Sequence, residues 1–224
     1  MNDINSLLIP KQIIRSNRKS ISLIVNKSGE LIVRAPLFCK DKLIFDFINK
    51  KAKWIIAKKS ELAKNDKYSP LTFTKEETIY IIGKPYKIVL LPIKRVKLKD
   101  DEIFVPNLNP MMSLKNWLIK LAKVHVTNTV AEYSKKYNLK YTSISITSAR
   151  TRWGSCNYKN HLNFSYRLIM CPQAVIEYIV IHELCHTLEK NHSKQFWIRV
   201  ESLCPDYKMC EKWLKDNRRI MDVI

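Results

Sequence analysis

The sequence predicts an α+β fold in two parts: an N-terminal region of β-hairpins and one helix, then a domain of a small sheet and a buried helix. Three observations predict it. Apolar runs broken by Asn, Gly and Pro recur at 21–34 and 79–91, as in hairpins. Residues 113–137 carry helical rather than alternating spacing. Alternating runs at 143–147 and 162–168 precede a stretch apolar nearly all round, Val175-Ile176-Glu177-Tyr178-Ile179-Val180-Ile181. Asn and Pro signals at 106–110 divide the chain into 1–109 and 110–224.

The elements follow in order. Ile21 to Val25 and Leu31 to Arg34 flank the turn Asn26-Lys27-Ser28-Gly29, and Pro36 ends this hairpin. Asp41 caps a helix running to about residue 64, with Leu43, Phe47, Trp54, Ile55 and Leu62 as its stripe and lysines on its solvated face. A polar linker spans 64–70. A second hairpin turns at Gly83-Lys84-Pro85, and short strands near 96–98 and 103–105 extend it. The helix at 113–137 aligns Trp117, Leu121, Val124 and Asn128, and His125 on it reads as a packing residue. His161 reads as a turn residue opening the strand at 162–168, and Pro172 suits the first turn of the apolar helix. Ser193 caps a helix at 194–203 with Phe196, Trp197, Val200 and Leu203 inward, Pro205 stops it, and a helix at 208–219 closes the chain.

Composition narrows the class. With 224 residues, 46% of them hydrophobic, the chain can bury a sizeable core. No apolar run approaches the roughly 20 residues of a membrane span, and residues 1–10 lack the pattern of a secretory signal. The expectation is a cytoplasmic protein with no membrane contact. The six cysteines form no C-x-x-C pair and read as free thiols. Lys and Arg total 40 against 20 acidic residues, a net charge of +20. Residues 1–110 carry 22 against 11 and residues 111–224 carry 18 against 9, so neither half is a basic tail. Such a surface suits nucleic acid or nucleotides, although abundant Lys, Ile and Asn also follow from an AT-rich genome.

The chemistry concentrates at His182-Glu183-Leu184-Cys185-His186, with His192 beyond: H-E-x-x-H-x5-H. Histidines four apart share a helical face, so both imidazoles reach one ion. Glu183 lies about 100° round the helix. It is off the ligand row, yet long enough to reach a water held by that metal. This is the arrangement of a zinc protease, with the carboxylate as general base. The spacing to His192 is that of the third ligand in metzincins. Those have Gly at the turn where this chain has Glu189, and Asn191 can supply a left-handed turn instead. Three of five histidines within one eleven-residue window argue against accident. Cys185 is read as a small core residue. Three imidazoles leave zinc one open position, and Glu183 passes the proton of the attacking water to the leaving group. Arg152, Tyr166 and Tyr207 are candidates for a second donor to the developing oxyanion or for substrate contacts, although each also fits a plain surface or packing role.

The runs Thr151-Arg152-Trp153-Gly154-Ser155-Cys156 and Leu162-Asn163-Phe164-Ser165-Tyr166-Arg167-Leu168, the H-E-x-x-H, Asn191-His192-Ser193-Lys194-Gln195-Phe196-Trp197 and Pro205-Asp206-Tyr207 resemble the YgjP-like metallopeptidases. These are similar to the SprT-like and WLM zinc proteases. The resemblance is dense from about residue 150 to 214 and looser before. It implies a minimal zincin-like catalytic domain with His182, His186 and His192 as Zn2+ ligands and Glu183 as catalyst. It also implies that Arg152, Trp153 and Ser155 lie near the cleft. Cys185 stands where alanine is more usual.

The leading expectation is a zinc-dependent hydrolase acting on peptides or proteins, with the strand at 162–170 pairing with extended substrate. One alternative keeps the metal and hydrolyses nucleoside triphosphates; with only three Gly in the chain, phosphates would need Lys and Arg contacts. The other is a non-catalytic nucleic-acid-binding module with structural zinc, closed by Cys185 or Cys204.

Overall fold

The computed structural model describes residues 7–26, 29–64, 69–74 and 76–224, and the side chains of all of these but 61–64. Lys27 and Ser28 of the first turn, the Leu62 side chain, and 65–68 of the linker lie outside the described residues. The chain forms two compact units, Met1–Lys67 and Tyr68–Ile224.

In the first unit, β2 (Ser22–Val25) pairs antiparallel with β3 (Leu31–Pro36), the expected hairpin, with Gly29 at a left-handed φ of 77°. A strand not foreseen, β1 (Gln12–Ser16), runs parallel to β3 and places β3 centrally. The helix expected over 41–64 is two, α1 (Asp41–Lys50) and α2 (Ala52–Lys64), broken at Lys51. Asp41 does not cap α1. Lys40 holds that position, and the Asp41 carboxylate in the first turn pairs with the Arg15 guanidinium. The buried stripe is Ile44, Ile48 and Ile55, in one core with Leu31, Val33 and Ala35, whereas Leu43 and Trp54 are exposed.

The second unit carries two sheets and the long helices. β4 (Thr78–Ile81), β5 (Lys84–Leu91), β6 (Lys97–Lys99) and β7 (Glu102–Pro106) form a sheet in the order β4-β5-β7-β6. Ile79, Ile81, Ile88, Ile103 and Val105 join the core of the following helices, so residue 110 falls inside this unit. The β4–β5 turn has positive φ at both Ile82 and Gly83, the type I′ geometry of tight hairpins. A Cβ on Gly83 would lie 2.9 Å from the Cα of Pro172, so this glycine lets the turn close on the residue before the helix Gln173–Cys185.

Asn109 turns left-handed and Pro110 opens α3 (Pro110–Tyr137), three residues earlier than the spacing indicated. Its buried positions are Leu114, Leu118, Ala122, Val126, Thr129 and Val130. Of the expected stripe, Trp117 and Leu121 pack at the margin of the core and Val124 is exposed. His125 bonds Gln173 at 2.8 Å, a packing role.

The second sheet has β10 (His161–Ser165) at its centre, parallel to β8 (Ser143–Thr147) and antiparallel to β9 (Gly154–Cys156). The strand expected to run to 168 stops at Ser165, and a 3-10 turn takes Tyr166–Met170. Because β10 has a neighbour on each side, it offers no backbone to an extended substrate; β9 forms the edge beside α4 (Gln173–Cys185). Pro172 caps α4 rather than entering its first turn. Only Ala174 of α4 is exposed, as its apolar sequence requires. α5 (Lys194–Leu203) and α6 (Tyr207–Asp216) pack against it, and a 3-10 turn at Arg218–Asp222 follows.

Candidate metal centre

The end of α4 supplies the first two imidazoles. His182 lies in its last turn and His186 at its C-cap. The chain then turns tightly: Leu188 and Glu189 amides donate to the Cys185 carbonyl at 3.1 and 3.0 Å. His186 Nδ1 donates to the Glu189 carbonyl at 2.8 Å, which fixes its tautomer and leaves Nε2 with a free lone pair. Asn191 is not left-handed. Its side-chain oxygen accepts from the Ser193 amide at 3.2 Å. Ser193 caps α5, its hydroxyl accepting from the Phe196 amide at 3.3 Å, and so sets His192 just before the helix.

The three imidazoles converge. His192 Nε2 lies 3.1 Å from His182 Nε2 and 3.2 Å from His186 Nε2. Zn–N bonds of about 2.0–2.1 Å in a tetrahedron set ligand nitrogens about 3.3 Å apart, so the spacing fits one ion. Among the described residues this trio alone forms a metal-sized group, and neither Cys185 nor Cys204 belongs to it. Cys185 is fully buried, and burial pushes its thiol up to about 12. Burial, then the neighbouring imidazoles, hold His182 down at about 3, and burial lowers His186 as well. Neutral imidazole is the form that binds metal.

An aromatic wall supports the three imidazoles. Phe196 stacks on His186 with centroids 4.3 Å apart, and Trp197 stacks on His192 at 5.7 Å. Behind them, Tyr207 stacks on Trp197 at 5.4 Å and on Tyr178 at 6.4 Å, and Tyr178 meets His182 edge-on at 5.8 Å.

Glu183 faces the adjoining cleft with 5% of its surface exposed. Its Oε2 is buried with no hydrogen-bond partner among the described residues, as is His182 Nδ1. An orphaned buried carboxylate oxygen costs free energy unless something polar meets it there. Burial raises the Glu183 carboxyl to about 8, and the Arg152 charge opposes this. A bound cation would act in the same direction as Arg152. Gly154 of β9 covers Glu183 so closely that a Cβ there would come within 2.6 Å of its Cγ and Oε1.

The cleft holds about 300 Å³ between Trp153, Gly154, Tyr178, Ile179, His182, Glu183, Glu211 and Leu214. Tyr178 donates to Glu211 at 3.3 Å, and burial followed by the Glu211 charge pushes the phenol well up. Of the sequence candidates for a second donor, Arg152 is exposed and acts on Glu183 through its charge. Tyr207 is in the aromatic wall. Tyr166 is fully buried, its hydroxyl 3.4 Å from the Ile224 carbonyl, and is not part of the cleft lining. Gly154, Tyr178 and Glu211 are not among the site residues that the sequence predicts. Tyr178, one turn before His182, was visible on a helical wheel; Glu211 carried no signal.

A family model described as YgjP-like, metallopeptidase domain, matches residues 19–217. A solved structure, the metallopeptidase zymogen of Pyrococcus abyssi abylysin, is similar at 18% identity with a TM-score of 0.37, covering 40% of this chain and 92% of that one. The comparison with curated proteins gives no match.

Proposed function

The chain belongs to the YgjP-like metallopeptidase family, and from that premise we propose that it cleaves peptide bonds in peptides or proteins with zinc held by His182, His186 and His192. The observation that carries the reading is the convergence of three Nε2 atoms together with the orphaned Oε2 of Glu183, which lines the same cleft as His182. When bound, the ion acts as a Lewis acid on the attacked carbonyl and brings the pKa of water to about 7. The donor set suits zinc, which imidazoles bind well. Glu183 takes the proton of the attacking water at Oε2 and delivers it to the leaving amine. The Arg152 charge steadies its ionised form. Gly154 leaves Glu183 room, and the Phe196–Trp197 wall keeps the ligands in place.

Two observations weigh against the alternatives. The cleft beside Glu183 is lined by a second carboxylate, Glu211, and by no Lys or Arg, so a triphosphate reacting there would meet cations only in the neighbouring depression of Arg150, Lys215 and Arg218. A structural zinc wants a fourth protein ligand, and among the described residues the trio has none. The free state of all six cysteines supports a reducing, cytoplasmic location. No described helix is long and apolar enough to cross a membrane.

The test compares zinc-loaded wild type with Glu183→Gln on casein-like peptides and on nucleoside triphosphates. Peptide cleavage falling by about 10²–10⁴-fold in the variant, with zinc content unchanged, supports the proposal. Triphosphate hydrolysis lost in the variant, with peptides untouched by wild type, overturns it.

A further inference from the structure

We propose that the catalytic cleft continues into a subsite for a carboxylate of the peptide substrate, formed by Arg150, Lys215 and Arg218. The inference rests on the peptidase reading above and names the chemistry of the substrate. A depression of about 260 Å³ is lined by those three cations with Thr151, Trp153, Leu214 and Met221. Trp153 and Leu214 also line the cleft that holds Glu183, so the two spaces share a wall. A chain lying over Trp153 reaches both.

The charges change sign along this path. The cleft presents Glu183 and Glu211, whereas the next depression presents three cations and no carboxylate. None of the three is held in an ion pair among the described residues. Arg150 also bears on the buried Arg167 as a like charge, and Asp222 of the closing 3-10 turn bears on Arg167 with the opposite sign. A solvated helix end accounts for Lys215, which sits in the last turn of α6 where a cation favours the dipole. It does not account for Arg150, from the segment between β8 and β9, or Arg218, from the closing 3-10 turn, lining the same space. Guanidinium groups in a concave site match carboxylate geometry.

A carboxylate reaches the depression either as an Asp or Glu side chain or as the free end of the peptide. The experiment uses the zinc-loaded full chain on the Glu183→Gln background, so that binding is read without turnover. Fluorescent peptides carry Asp or Asn at successive positions, each with a free or an amidated C-terminus. The expected result is roughly tenfold tighter binding of one carboxylate peptide than of its amide counterpart, as two or three partly exposed ion pairs provide. Preference that follows Asp identifies a side chain; preference that follows the free end identifies the terminus. Adding Arg150→Gln, Lys215→Gln and Arg218→Gln brings the ratio to about one while the neutral peptide binds as before, which also shows that the variant is folded. The ratio shrinks at about 1 M salt, where the Debye length is about 3 Å. A ratio near one in the parent at every position, or a ratio that survives the three substitutions, overturns the subsite. Carboxylate preference without cleavage of any peptide by the wild type sinks the peptidase reading and leaves the subsite standing.

Discussion

Replacing Gly154 by alanine should disable the protein through a single methyl group. The added Cβ would lie 2.6 Å from both Cγ and Oε1 of Glu183 and 2.9 Å from Cδ. Contacts under 3.0 Å do not persist, so one partner must move. The clash falls on the middle of the Glu183 side chain as well as its tip, and a residue with 5% exposure has little room to swing away. β9 is held on its other side by the Gly154–Phe164 pairing and by the Ser165 amide bonded to the Trp153 carbonyl at 2.8 Å. Overpacking of this kind costs about 1–3 kcal/mol, or a Tm loss on the order of 2–12 °C for a chain of this size. Displacing a general base by about 1 Å costs on the order of 10²-fold in rate. The assay measures kcat and KM for peptide cleavage, with zinc stoichiometry and Tm on the same preparation. The expected result is a loss concentrated in kcat with a full zinc complement. A variant within twofold of wild type, with Tm unchanged, would refute the reasoning about close approach.

Other consequences are open to measurement. Ser193→Ala removes the α5 cap that sets His192, so Tm should drop by the equivalent of about 1 kcal/mol and zinc dissociation by competing chelator should speed up; an unchanged zinc off-rate would separate the cap from the ligand. Chelating the metal should lower stability by about 4 kcal/mol when zinc stands about a thousandfold above its Kd, and a melting curve indifferent to chelator would speak against occupancy in the native state. Cys171 is fully buried, and burial holds its thiol well above the ordinary range. Above about pH 8.5 the unfolded chain sheds this proton and the folded chain keeps it, so stability falls as pH rises, by up to about 1.4 kcal/mol per unit. Urea melts of wild type and Cys171→Ala between about pH 8.5 and 10 should show the shallower decline in the variant; parallel declines would contradict the burial argument.

Much of the fold was legible where local chemistry decides. Both hairpins, the Ser193 cap and the run-up to His182 rest on turn residues, capping hydroxyls and continuous apolarity, and the structure carries each. The two misplaced helix stripes have a common cause: apolar residues on more than one face. In α1, Leu43 and Ile44 are adjacent and either could start a stripe; the core takes Ile44. In α3, Val124 and Val126 offer the same choice, and packing takes Val126. β1 escaped because its parallel partner lies some twenty residues away, with no hairpin turn to announce it. The strand after His161 stops at Ser165 because the 3-10 turn buries Arg167, which bonds the Ser148 carbonyl at 3.1 Å, a long-range tie that alternation cannot show. At the site, residues on one helix were readable from spacing, whereas Gly154 and Glu211 reach it from other elements.

Zinc X-ray absorption on the loaded protein probes the ligand set most directly. Three imidazole nitrogens and one further light atom at about 2.0–2.1 Å, with no sulfur, are the predicted shell. A scatterer at about 2.3 Å, the distance of a thiolate, would contradict an open hydrolytic centre built from His182, His186 and His192 beside Glu183.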